Sequence, residues 1–210
     1  MQARNAGRPA GTRRAREQRS VTEQARRAQI ITATIAVIAD SGYQHATFAR
    51  IAERAGLSST GLISYHFANR GELMAQVADR VVGTIGGFMA ERMAGATGAA
   101  DALWRYIDGN VAFVETHRAE MKALLEIFLG GGFDYDAGND RAAKSPVEDM
   151  LRAGQASGEF RDFDVTVMAT MIQRAVDGLP FLLTDDPDFD TRTYANEVIT
   201  AFDLATRAAP

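Results

Sequence analysis

The chain has 210 residues, of which 46% are hydrophobic and 24% charged, a net charge of −4 and no cysteine. That balance fits a globular protein and excludes a disordered or collagen-like one, and the missing thiols exclude a disulfide frame, a thiolate zinc site and a cysteine nucleophile. The net charge hides an asymmetry: residues 1–70 carry 11 arginines, no lysine and four acids, a net of +7, whereas residues 71–210 carry −11. A basic first third on an acidic body points to a polyanion-binding module joined to a part that stays off polyanions. An uneven but idle surface is the plain alternative. No apolar segment follows the arginine-rich start that is long enough for a signal peptide or a membrane span, so a cytoplasmic address and no membrane partner are expected.

Apolar residues recur at spacings of three and four throughout, which predicts an all-α chain of about nine helices. Residues 1–20, with six arginines and little apolar content, read as a flexible basic arm. A first helix is expected from about Thr22 to Ser41, striped by Ile30, Ile31, Ile35, Val37 and Ile38 and stopped by Gly42. Thr47 caps a short helix with Phe48, Ile51 and Ala52, ending at Gly56. Ser58 is expected to cap another with Leu62, Ile63 and Phe67, and Asn69 a long one through Leu73, Val77, Val81 and Ile85. Helices then follow over Leu103 to Val114 and Met121 to Leu129. A polar loop is expected over Phe133 to Ser145, with Pro146 in the first turn of a helix reaching Ser157. Two long helices close the chain, Asp164 to about Leu183 and Asp190 to about Arg207.

Residues 47–67 fit a helix-turn-helix. Ala52 is small where two helices cross, Gly56 four residues later supplies the left-handed backbone of a tight turn, and Leu62 anchors the second helix on the first. Ser58 and Ser59 then stand at the N-terminal turn of the second helix, the part that meets base edges in a major groove.

The run from Thr47 through FARIAERAGLSSTGLISYHFANRGEL resembles the DNA-binding domain of the TetR family of transcriptional regulators. The matching features are Thr47 four before Ile51, Ile51-Ala52, Ala55-Gly56-Leu57-Ser58, the aromatic Tyr65-His66-Phe67, and Asn69, Arg70 and Leu73 opening the next helix. With the first helix, the resemblance covers about residues 22–74. It implies an N-terminal three-helix helix-turn-helix DNA-binding domain (residues 21–68, behind the arm at 1–20) and a helical effector-binding and dimerisation domain (residues 69–210). It also implies that Thr47, Tyr65, His66 and Arg70 face phosphates, Arg70 standing where the family commonly has Lys, while Ser58, Ser59, Thr60 and Gly61 approach bases. One more residue than the commonest family spacing lies between Gly56 and Phe67. Ser64 takes the place of a frequent Tyr, leaving Tyr65 as the phosphate contact. No Arg, Asn or Gln occurs in Ser58 to Ser64, so specificity is expected to lean on the arm and on DNA shape.

The implied partners are duplex DNA, a small-molecule effector and a second copy of the chain. Tyr106, Asn110, Phe113 and His117 share one helical face that mixes aromatic bulk with polar handles, as a ligand wall does; core packing is the alternative. Trp104, Met121, Phe128, Met168, Met171 and Ile172 are candidates for the same cavity. The helix from Asp164 carries more apolar cover than one neighbour needs, which suggests an interface formed by Ala175, Gly178, Leu179 and Leu182 with Tyr194, Val198 and Phe202 of the last helix.

Enzyme chemistry finds little footing. Only His45, His66 and His117 are present, with no H-E-x-x-H, and no metal or other cofactor is expected. Ser58 in GLSSTG lacks the strand of a nucleophile elbow. Asp134, Asp136, Asn139 and Asp140 lack the glycine and the terminal Glu of a calcium loop. Two readings remain: a ligand-responsive dimeric DNA-binding regulator, a repressor released from a palindromic operator by an apolar or aromatic effector, or an all-α enzyme or carrier whose basic end binds nucleic acid nonspecifically.

Overall fold

The computed structural model describes the backbone of residues 10–131 and 137–208, and the side chains of residues 21–131 and 145–208. Nine α-helices occur among the described residues: α1 (Ala10–Ser41), α2 (Phe48–Arg54), α3 (Gly61–His66), α4 (Arg70–Met93), α5 (Ala99–Thr116), α6 (Arg118–Leu129), α7 (Ala137–Ser157), α8 (Val165–Asp185) and α9 (Thr191–Thr206). A single 3₁₀ turn, Tyr43–His45, joins α1 to α2.

The helix termini follow local chemistry. Thr47 caps α2 by accepting from the Arg50 N–H, Asn69 caps α4 by accepting from Glu72, and Asp164 and Asp190 cap α8 and α9 in the same way. Gly42 ends α1 at φ 86°. The α2 end is a Schellman motif: Gly56 at φ 64° donates to Glu53 and Leu57 donates to Ala52. Two expected boundaries move furthest. α1 begins at Ala10 rather than near Thr22, because no proline or β-branched run interrupts residues 10–21; residues 1–9 lie outside the described part. α7 covers Ala137–Ser157, so residues 137–145 of the expected loop are helical. Residues 133–136, with Asp134 and Asp136, lie outside the described residues, Asn139 and Asp140 fall on α7, and Pro146 sits inside that helix rather than in its first turn.

Three apolar clusters hold the fold. The first joins Ile30, Ile38, Ile51, Ile63 and Phe67 to Leu73, Met74 and Val77 of α4, and it takes in Ala123 and Ile127 of α6. The body has two more: Leu103, Ile107, Leu151, Met168, Ile172 and Phe202 join α5, α7, α8 and α9, and Val111, Val114, Leu179 and Ala195 form a smaller group beside them. α4 and α6 therefore serve both halves. Where α4 crosses α5, a Cβ on Gly109 would come within 3.0 Å of the Met89 sulfur, so the helices touch at a residue without a side chain.

Candidate nucleic-acid interface and helical body

The head displays its polar residues. Thr47, Ser58, Ser59, Thr60, Gly61, Ser64 and Tyr65 are exposed, Tyr65 by 77%. α3 is capped by Thr60, not Ser58, and Thr60 makes no side-chain cap bond. The helix starts two positions later than expected, leaving both serines ahead of α3 with Ser59 beside Gly61. His66 is half-buried and its ring meets Tyr65 edge-on at 5.0 Å, while its buried Nδ1 has no hydrogen-bond partner among the described residues.

A residue with no sequence signal holds this head together. Arg27 of α1 donates to the His66 carbonyl at the end of α3, lies over the Phe67 ring at 4.5 Å and pairs with Glu72 of α4 at 3.4 Å. Glu72 in turn accepts from the Ala68 N–H at 2.7 Å. One arginine fixes the exit of α3 against the helices before and after it. The Gln29 side chain similarly donates to the Ala55 carbonyl at 2.6 Å, closing the α2 end.

Arg70 differs from its expectation. Its guanidinium lies 4.0 Å from the centre of the Tyr43 ring and donates to the Tyr43 carbonyl at 2.5 Å. It faces inward across the base of the head, because α4 begins beside the α1–α2 connector and the nearest acceptor is that carbonyl.

The body does not gather the ten expected effector residues into one wall. Phe113 is 2% exposed and stacks on His117 at 4.2 Å with an interplanar angle of 4°, and Phe88 of α4 meets both rings edge-on. On the same α5 face, the Tyr106 hydroxyl donates to Gln173 of α8 at 2.7 Å, and Gln173 donates to Asp177 at 2.8 Å. Burial, aided by the Asp177 charge and opposed by bonds from Gln173 and Asn110, pushes the Tyr106 phenol up to about 12. The Asn110 side chain donates to the Tyr106 carbonyl. Met168 and Ile172 are core, Met121 packs on the Val111 group, and Trp104, Phe128 and Met171 are on the surface. An open cleft of about 390 Å³ lies elsewhere, between the start of α5 and α7, lined by Ala99, Ala102, Met150, Ala153 and Glu159 among others. There Glu159 accepts from the Ala99 and Ala100 N–H groups at 3.1 Å and from Ser157. Those bonds, Ala100 first, hold its carboxyl below the usual range.

The expected interface residues also divide. Leu179 and Phe202 are buried within the protomer, Val198 packs on its core, and Tyr194 donates to the Ala175 carbonyl beside Gly178. The apolar side chains left outward on α8 and α9 are Val167, Met171, Phe181, Leu182 and Leu204. Of the expected set, Leu182 remains exposed. Leu179 and Leu182 are neighbours around α8, roughly 60° apart, so the division falls at the edge of the helix's buried stripe. Among the described residues no group of His, Asp or Glu is placed to hold a metal, and no helix is long and apolar enough to cross a membrane.

A three-helix head with an exposed hydroxyl-rich turn, set on an all-α body through α4, defines the chain as a helix-turn-helix protein. Residues 30–77 match the family model described as bacterial regulatory proteins, tetR family. The HTH-type transcriptional regulator BetI 1 of Chromohalobacter salexigens is 36% identical over 101 residues, 48% of this chain and 50% of the relative. The chain thus matches about half the length of its curated relatives. A Rhodococcus bacterial regulatory protein in the tetR family superposes with a TM-score of 0.71 at 19% identity, covering 88% of this chain and 98% of that one. A Saccharomonospora viridis protein solved in complex with choline gives 0.76 at 21%, covering 87% and 98%. In its head, residues 30–77, the chain is similar to the tetR family.

Proposed function

We propose that this protein is a dimeric, ligand-responsive DNA-binding transcriptional regulator, a repressor that a small effector releases from a palindromic operator. The observation that carries the reading is the head. Ser58, Ser59, Thr60 and Gly61 stand exposed at the start of α3 while the apolar side of that helix is fixed by Ile63, Phe67 and Arg27. Such a turn presents short donors and acceptors to base edges, and Thr47, Tyr65 and His66 flank it as phosphate partners. The arginines of residues 1–20 add sequence-independent affinity. The proposed division is a basic arm at 1–20, whose residues 10–20 lie on α1, the head at 21–68 and the body at 69–210.

Dimerisation is supported by the outward stripe Val167, Met171 and Leu182 on α8 with Leu204 on α9, and palindromic operators mirror such two-fold symmetry. The effector reading is supported by the aromatic group Phe88, Phe113 and His117 at the far end of α4 and by the choline held by one protein of the same fold. A gel shift with DNA upstream of the protein's own gene, at two salt concentrations, tests the reading. Saturable binding that weakens with salt and survives competition by unrelated duplex is expected; binding erased equally by any duplex overturns it.

A further inference from the structure

Tyr43 is held from three directions by residues far apart in the chain. Arg70, at the first turn of α4, covers its ring at 4.0 Å and donates to its carbonyl. Glu126 of α6 accepts from its backbone N–H at 3.2 Å. Gly130, just past the end of α6, seats the ring so closely that a Cβ there would come within 2.2 Å of it. Gly130 has φ −78°, which any residue adopts, so the close approach and not the backbone calls for glycine. Tyr43 itself occupies the single turn between α1 and α2, four residues before the Thr47 cap. The turn that sets the start of the helix-turn-helix is therefore clamped between the beginning of α4 and the end of α6.

We infer that Arg70 and Tyr43 form the joint through which the position of α6 is imposed on the DNA-reading helices, Arg70 acting as a positioning residue and not as a phosphate contact. The inference rests on the DNA-binding reading above and adds to it where the body grips the head. A guanidinium fits the place because its flat face stacks on the ring while its edge donates to the carbonyl. A lysine ammonium carries the same charge but not that geometry. Movement at the end of α6 carries the ring with it, since Gly130 leaves it no clearance, and the ring carries the α1–α2 turn.

Salt dependence separates this from a phosphate contact. Operator binding is measured by fluorescence anisotropy over a range of salt for the full-length wild type, Arg70→Lys, Arg70→Ala and Gly130→Ala, with thermal unfolding of each. Arg70→Ala is expected to weaken binding about five- to tenfold, within the range of ordinary coupling, with the slope of log K against log salt unchanged. Arg70→Lys is expected to fail to restore affinity, and Gly130→Ala, which removes no charge, to reproduce the loss. Three results overturn the joint: a slope shallower by about 0.9, the value for one lost phosphate contact, full rescue by lysine, or wild-type affinity in Gly130→Ala. If Arg70→Ala does not fold, the lysine and Gly130 variants carry the same test. A wild type that binds no DNA at all refutes the DNA-binding reading itself, a different result from any of these.

Discussion

The head and the body treat their polar side chains in opposite ways. In the head, Ser58, Ser59, Thr60, Ser64 and Tyr65 remain exposed, and the structure spends Arg27, Gln29 and the capping residues on holding the backbone beneath them. In the body, the polar groups that look available are consumed internally: Tyr106 by Gln173, Tyr194 by the Ala175 carbonyl, and His117 by the Phe113 stack and the Thr116 hydroxyl. Exposed hydroxyls can leave their bonding to solvent, whereas buried polar groups must find partners inside the fold.

Phe113→Ala strikes the body hardest. The ring is 2% exposed and packed by Phe88 and His117, so its removal is expected to cost about 3–5 kcal/mol in urea unfolding. A loss under 1 kcal/mol would show instead that the ring borders space the body already holds open. Next in size, Met171→Arg places a charge in the outward stripe of α8, where Met171 is 55% exposed. The monomer is expected to remain folded and the proposed dimer to weaken by about 3 kcal/mol or more, as sedimentation measures, because the charge would be buried without a partner on association. Unchanged association would move the interface off α8.

In the head, Tyr65→Phe removes one exposed hydroxyl. Stability is expected to stay within about 0.5 kcal/mol, while operator affinity falls by about 1.5 kcal/mol, the low end for a hydrogen bond to a charged group. A lowered melting temperature with unchanged DNA binding would give the residue to the fold. The smallest effect concerns pH. Glu159 has its carboxyl held low by the α5 N–H groups, so it contributes stability above the ordinary carboxylate range that is lost as pH falls through its lowered value. Asp101 and Asp190 are lowered the same way by bonds at the starts of α5 and α9. Glu159→Gln is therefore expected to flatten, but not abolish, the acid-side fall of the melting temperature; an identical pH profile would remove Glu159 from the account.

The two halves also differ in how much of them the sequence discloses. The head's caps and turn follow from neighbouring residues, namely the Thr47 cap, the Gly56 turn and the Asn69 cap, and its core from the apolar spacing of Ile51, Ile63 and Phe67 along the two short helices. The inward turn of Arg70 escaped because its acceptor lies 27 residues back, on a tyrosine that local pattern leaves unremarked. Body features depend on pairs farther apart still: Tyr106 and Gln173 are separated by 67 residues, and Glu159 and Ala99 by 60. Periodicity placed Tyr106, Asn110, Phe113 and His117 on one α5 face, but only packing decides that Phe113 is filler and Tyr106 is tied to α8. The same holds for Leu179 and Phe202, whose apolar character fits an interface or a core equally well until the neighbouring helices are in place.

The most direct test is a footprint of the full-length protein on DNA upstream of its own gene. The account predicts two protected half-sites related by two-fold symmetry, with centres one helical turn, about 34–36 Å, or a multiple of it apart. A single unsymmetrical site, or protection spread evenly along the duplex, would contradict it.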